Sequence, residues 1–133
     1  MPVFRTLICL GALSCLPLVA QDYRAKVQGI ITDSTQALVS GAKVTLLNVN
    51  TAIRAVRQTN DSGFYLFDYV EPGSYTVTVE LDGFSRFIQE NVEVQSRGDI
   101  TVNAALRPGD LQQSITISES PVAVQFNSSS VTL

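Results

Sequence analysis

The middle of the chain alternates apolar and polar residues, and turn residues interrupt the alternation at short intervals. Tyr75, Val77 and Val79 are each separated by one polar residue, which predicts a strand with one buried face. The aromatic run 64–70 lies between two groups of turn residues, 60–63 and 71–73. The pattern therefore predicts two strands that face each other in a hairpin between residues 59 and 84.

The same alternation predicts further strands on both sides of this hairpin, and none of the chain has helical periodicity. In the first of these strands, Val27, Gly29 and Ile31 share the inward face. The predicted strands are 24–33, the half-buried 42–47, a polar edge strand at 54–59, short strands at 87–88 and 92–94, and a closing strand at 100–106. Short strands at regular spacing indicate an all-β sandwich.

The first twenty residues have the pattern of a secretory signal peptide, with Arg5 followed by an apolar run. Cleavage after Ala20 is expected, although a lipid anchor at Cys15 is an alternative. The run is too short for a transmembrane helix. The predicted organisation is a signal peptide at 1–20, a sandwich at 24–107 and a tail at 108–133, with the mature chain secreted.

Composition excludes several classes of function. Removal of Arg5 with the leader leaves 9 − 1 = 8 basic against 12 acidic residues, so the mature charge of −4 argues against nucleic acid as a partner. The chain has no histidine, and its two cysteines both lie in the leader. Serine–histidine, cysteine–histidine and histidine–metal sites are therefore excluded, and we expect no enzyme and no cofactor.

The central stretch carries the spacing G-x-Y-x-F-x-x-[LV]-x-P-G-x-Y, followed by a G-F pair. It resembles the carboxypeptidase regulatory-like family, which implies a seven-stranded immunoglobulin/transthyretin-like sandwich appended to, and distinct from, any catalytic domain. Phe84 is expected to plug the core. The motif residues are Gly63, Tyr65, Phe67, Val70, Pro72, Gly73, Tyr75, Gly83 and Phe84.

Three groups of residues suggest further chemistry, each with a simpler explanation. Asp33, Asp61 and Asp82 are calcium-ligand candidates, but aspartate in turns usually caps the backbone. Related collagen-adhesin domains join a lysine to an asparagine through an isopeptide bond. The candidates for such a bond in this chain are predicted to face outward, where lysine stays charged. The tripeptide at 97–99 reads Arg-Gly-Asp, which is the integrin-binding tripeptide, but a turn between strands explains it more simply. The isopeptide candidates are Lys26, Asn103 and Glu80.

Phe64, Leu66 and Ile30 are apolar but lie at positions that should face solvent. Either a bulge breaks the alternation locally, or another domain covers this face. Aromatic side chains such as Phe64 and Tyr69 are also suited to stacking on sugar rings. Phe64, Leu66 and Tyr69 are therefore the predicted ligand or partner face.

The tail resembles the segment that joins this type of sandwich to the plug of Oar-like TonB-dependent outer-membrane receptors. Its alternating run is a candidate for strand addition to TonB, in which case we expect it to be disordered or loosely docked. An extra sandwich strand or a plain linker is the simpler alternative. The candidate partner strand comprises Ser114, Ile115, Thr116, Ile117 and Ser118.

The resemblance therefore implies a non-catalytic module at the N-terminus of a truncated or split TonB-dependent receptor, in the periplasm or outer membrane of a Gram-negative bacterium. Its expected partners are TonB or a plug or barrel domain. A glycan is the partner in the alternative hypothesis, a carbohydrate-binding module with a starch-binding-like fold. The third hypothesis is a structural adhesin-like domain.

Overall fold

A computed structural model describes residues 22–118 and residue 121. No helix in this part of the chain has the length and hydropathy needed to cross a membrane. The predicted signal peptide lies outside the described residues. The strands are β1 (Ala25–Asp33), β2 (Lys43–Asn48), β3 (Arg54–Gln58), β4 (Phe64–Val70), β5 (Gly73–Glu80), β6 (Arg86–Val94), β7 (Asp99–Thr101), β8 (Ala104–Leu106) and β9 (Ser114–Ile117).

The strands form two sheets, which confirms the all-β sandwich. In the four-stranded sheet, β1 is central, with β4 antiparallel on one side and β7 and β8 parallel on the other. The five-stranded sheet has the order β3-β2-β5-β6-β9, in which only β9 pairs in parallel. One edge of the sandwich is therefore formed by β3 and β4, and β9 lies at the far edge of the larger sheet.

The alternating residues meet between the sheets as the sequence predicts. Val27 and Ile31 from β1, and Val77 and Val79 from β5, are fully buried. Glycine is required at position 29 because the backbone of Val102 approaches it closely. A Cβ atom at this position would overlap with the carbonyl oxygen of Val102. The two apolar faces thus form one core.

The prediction of a central hairpin is wrong, because β4 and β5 belong to different sheets. β4 pairs with β1, whereas β5 pairs with β2 and β6. The turn at 71–72 carries the chain from one sheet to the other, so these strands stack across the core instead of exchanging backbone hydrogen bonds. Alternation shows that a strand has a buried face but does not show which strand lies beside it.

Strand boundaries differ from expectation at three places. Residues 86–94 form one strand with a bulge at Asn91, which has φ of 57°, instead of two short strands. The closing strand is divided in two, because the Oδ1 atom of Asn103 replaces a backbone acceptor for the amide of Ile30 at 2.9 Å. The tail contributes β9. Residues 22–118 therefore contain nine strands, where the family resemblance implies seven, although the sandwich is unchanged.

Candidate functional site

The motif residues are mainly structural. The hydroxyl of Tyr65 donates to the backbone carbonyl oxygen of Val102 at 2.6 Å. The hydroxyl of Tyr75 donates to the backbone carbonyl oxygen of Glu71, also at 2.6 Å. Gly63 has φ of 69°, and a Cβ atom there would lie 2.6 Å from the oxygen of Ile31. The Tyr65 hydrogen bond lies within the four-stranded sheet, and the other two contacts fix turns, so the motif specifies the fold.

Phe84 is less deeply buried than the resemblance implies. Phe84 is only half-buried and packs against the side of the core, where its backbone bridges to Pro108. Gly83 lies in the turn just before it, at φ of 86°. Phe84 therefore covers the edge of the core and does not plug its centre.

Phe64, Leu66 and Tyr69 do not form one face. Phe64 and Leu66 are half-buried on the outer side of the four-stranded sheet, opposite Ile30 and Gln28 of β1. A bulge follows them: Tyr69 has φ of 56°, and the β1–β4 register shifts between Ala25 and Val27. The bulge turns Tyr69 away from Phe64 towards the β3–β4 edge, where 66% of its surface is exposed.

A cleft of about 350 Å³ opens between the edge strands β3 and β4. Its lining includes Phe67 and Tyr75, which are buried, and Ile53, which is 70% exposed. The guanidinium of Arg57 lies over the Phe67 ring at 5.5 Å. The lining is mainly apolar, and the remaining residues are Leu46, Asn48, Thr51, Ala55, Asp68, Tyr69, Val70, Glu71 and Pro72.

Charged groups surround Tyr69 at the mouth of this cleft. The guanidinium carbon of Arg24 lies 4.6 Å from the centre of the Tyr69 ring, and Arg24 Nε lies 2.9 Å from Asp22 Oδ1. The hydrogen bond from Arg24 lowers the pKa of Asp22. A hydrogen bond to the Glu71 carboxylate raises the pKa of Tyr23, which is 52% exposed. Two exposed tyrosines thus lie beside paired charges.

The candidate partner strand is ordered as β9 and does not match the expected loosely docked segment. Residues Ser114–Ile117 pair in parallel with Arg86–Gln89 of β6. Ile115 is half-buried, and the side-chain amide of Asn91 donates to the carbonyl oxygen of Ser118 at 2.6 Å. The outer edge of β9 has no strand beside it among the described residues. Its role in binding a partner stays a prediction.

The structure does not bring the other sequence candidates together. Lys26 lies in β1 and Asn103 in the link between β7 and β8, while Glu80 lies in the other sheet and contacts Lys43 and Arg86. Asp33 accepts hydrogen bonds from Thr35 and from the Ala37 amide, which is backbone capping. Within residues 22–118, no group of three or more metal-ligating side chains is present.

The Arg-Gly-Asp tripeptide forms the turn into β7. Arg97 has φ of 57°, and Gly98 is buried, with its amide donating to the carbonyl oxygen of Gln95. Asp99 is already the first residue of β7 and lies opposite Lys26. The tripeptide is therefore a structural turn, as the simpler explanation has it.

Sequence reasoning missed the cleft between β3 and β4. Nothing in the alternation shows that these two strands, separated by a five-residue turn, lie at the same edge of different sheets. The signal that could have found it is Ile53, an exposed apolar residue just before the polar strand β3.

The sequence matches the carboxypeptidase regulatory-like domain family over residues 26–107. The chain belongs to this family. No curated protein matches the sequence. The match covers β1 to β8 and excludes the tail strand, so the family accounts for the sandwich and leaves β9 unassigned.

Solved structures of low identity share the fold of this carboxypeptidase regulatory-like domain. A candidate carbohydrate-binding protein from Bacteroides uniformis has 23% identity and a TM-score of 0.53, over 64% of this chain and 42% of that one. A Streptococcal ancillary pilin has 14% identity and a TM-score of 0.53, over 67% and 34%. Wild-type catechol 1,2-dioxygenase from Acinetobacter radioresistens has 12% identity and a TM-score of 0.51, over 75% and 58%. The chain spans less than two thirds of the length of each.

Proposed function

We propose that this chain is the N-terminal periplasmic module of a TonB-dependent outer-membrane receptor, exported by a cleaved signal peptide. In this proposal the module binds and couples, and it has no catalytic role. Its family is a regulatory-like domain, and the dioxygenase neighbours are too distant in sequence to transfer their activity. The observation that carries the proposal is the position of β9 at the edge of the larger sheet.

The hydrogen-bonding pattern of β9 leaves backbone amide and carbonyl groups on its outer side, where a partner strand can bind. The amide of Arg86 donates to the carbonyl oxygen of Gln113, and parallel pairing alternates the direction of the backbone groups. Ile115 and Ile117 therefore direct their amides towards β6, while Ser114 and Thr116 direct theirs outward. An extended segment of TonB can add to this outer edge without displacing β9.

The test is binding of the full chain to the periplasmic domain of TonB, measured by calorimetry. Thr116→Pro removes an outward amide and leaves the amides towards β6 intact, so we expect it to abolish binding while the chain stays folded. Thr116→Val keeps the amide and is the matched control. Absence of binding by the unmodified chain, or equal binding by the proline variant, would overturn the proposal.

Carbohydrate binding is the second candidate function. The specific observation is the exposed pair Tyr23 and Tyr69, placed beside Arg24, Asp22 and Glu71, because aromatic rings with flanking polar groups suit a sugar ring. The fold shared with the Bacteroides uniformis protein agrees with this idea but does not transfer its ligand. We expect Tyr69→Ala to abolish retention on an immobilised oligosaccharide, and Phe64→Ala, on the other face, to retain it. Failure of the unmodified chain to be retained by any neutral oligosaccharide in a panel would reject this candidate.

A further inference from the structure

The structure assigns a second strand-addition site to the outer edge of β3, where an extended peptide with alternating apolar and acidic residues pairs with residues 54–58 and inserts an apolar side chain into the β3–β4 cleft. This site is at the opposite edge of the larger sheet from β9. It goes beyond the proposed function, because neither the TonB interaction nor the tyrosine pair uses the backbone of β3.

Three residues of β3 direct their backbone groups to its outer side. One of these groups, the carbonyl oxygen of Val56, accepts a hydrogen bond from Arg57 Nη1 at 2.9 Å, which an added strand must replace. The amide of Asn48 donates to the oxygen of Ile53, and that of Thr59 donates to the oxygen of Ala42, which sets the phase of the antiparallel β2–β3 pairing. Residues 53, 55 and 57 therefore direct their backbone groups towards β2. The backbone groups of Arg54, Val56 and Gln58 point outward, where no described strand lies beside them.

The side-chain directions connect this edge to the cleft. Ala55 and Arg57 lie opposite Leu46 and Val44, which are buried, so their side chains are on the inner side of the sheet. A strand added to β3 therefore directs its residues opposite Ala55 and Arg57 into the space between the sheets. The cleft of about 350 Å³ lies there, with an apolar floor that includes Phe67 and Tyr75. It provides a specificity pocket for a side chain of the added strand.

Charge selects the kind of peptide. Arg54 is exposed on the outer side of the sheet, where the acidic residues of an alternating peptide would lie. β3 contains no acidic residue, and Arg54 forms no salt bridge within the described part of the chain. Pairing of β3 with β3 of a second copy would place the arginines of both copies in one short ribbon, and the repulsion disfavours it. Acidic residues on the incoming strand have the complementary charge, which favours a different partner over self-association.

The inference is tested with the full chain and two fluorescent nine-residue peptides, one alternating glutamate with leucine or valine and the other with lysine in place of glutamate. We expect the acidic peptide to bind, and its binding to protect the amides of Arg54, Val56 and Gln58 from hydrogen exchange. The lysine peptide should bind at least about tenfold more weakly. Absence of binding by the acidic peptide at millimolar concentration would overturn the inference.

The decisive variant is Val56→Pro, which removes an outward amide without removing a hydrogen bond to β2. Edge strands tolerate proline at such a position, so the sandwich should remain folded and the acidic peptide should no longer bind. Val56→Thr keeps the amide and should bind normally. Arg54→Glu should weaken binding of the acidic peptide by about fivefold or more and improve binding of the lysine peptide.

Two further arms separate this site from the others. Thr116→Pro, which tests β9, should leave binding of the acidic peptide unchanged, so the two proposals can fail independently. A neutral oligosaccharide that displaces the acidic peptide from the cleft would show that a glycan is its occupant and would overturn the assignment of a peptide. Equal binding by Val56→Pro and the unmodified chain would also overturn it.

Discussion

The hydroxyl of Tyr65 should make the stability of the protein depend on pH in the alkaline range. Tyr65 is 2% exposed, and its hydroxyl donates to the carbonyl oxygen of Val102 at 2.6 Å. Tyr65→Phe keeps the ring but removes this donor and leaves a buried carbonyl oxygen without it. We expect a loss of about 2 kcal/mol in the free energy of unfolding at pH 8, since an unsatisfied buried group costs more than an average hydrogen bond.

The sign of the pH dependence follows from the burial of this hydroxyl. Burial raises the pKa of Tyr65 far above its usual value, whereas the unfolded chain ionises near pH 10. Below pH 10 both states hold the proton, so stability does not change. Above pH 10 the unfolded state loses the proton first, and the free energy of unfolding falls by about 1.4 kcal/mol on reaching pH 11. Phenylalanine cannot ionise, so the deficit of Tyr65→Phe should shrink from about 2 to about 0.6 kcal/mol between pH 8 and pH 11.

Urea unfolding followed by far-ultraviolet circular dichroism at both pH values measures this change. The other tyrosines are present in both proteins, so their ionisation cancels in the difference. A deficit that stays constant or grows between pH 8 and pH 11 would refute the reasoning, because it would mean that Tyr65 ionises as readily in the folded protein as in the unfolded chain.

Three further substitutions test the packing. Tyr75→Ala should lower the free energy of unfolding by about 3 kcal/mol or more, because it leaves a cavity in the core, and an unchanged urea midpoint would show that the inward face of β5 is wrongly assigned. Gly29→Ala should cost about 3 kcal/mol, since the new methyl group overlaps with the backbone of Val102, and thermal unfolding would detect it. Asn103→Ala should cost about 1 kcal/mol by leaving the amide of Ile30 without its acceptor, and faster exchange of that amide is the measurement. Asn103→Asp keeps an acceptor oxygen and is the control for that change.

Local alternation in the sequence was enough to predict the core, because a strand at the centre of a sandwich needs an apolar residue at every second position. Val27, Val44, Val77 and Val79 are all buried on the predicted faces. The same alternation could not predict which strands pair, since β4 and β5 satisfy it equally well as hairpin partners or as strands of opposite sheets. Pairing depends on contacts between distant parts of the chain.

The candidate site was harder to predict than the core because it depends on irregular backbone. Tyr69 was expected on the same face as Phe64, and a single inserted residue in β4 sends it to another side of the molecule. A tyrosine with positive φ is uncommon, so nothing in the local sequence indicates the bulge. The pairing of β9 with β6 could not be predicted from the sequence either, because a four-residue strand has too little alternation to show where it binds.

The central position of β1 has a consequence for how the protein is made. Its partner strands, β4, β7 and β8, all come much later in the chain, and the hydrogen bond between Ile30 and Asn103 spans 73 residues. A nascent chain that ends before β7 has the larger sheet almost complete but cannot close the smaller one, so its core stays open to water. Such long-range pairing slows folding to milliseconds or longer. Closure of the core must therefore wait until β7 and β8 have been synthesised, whatever the speed of the folding step itself.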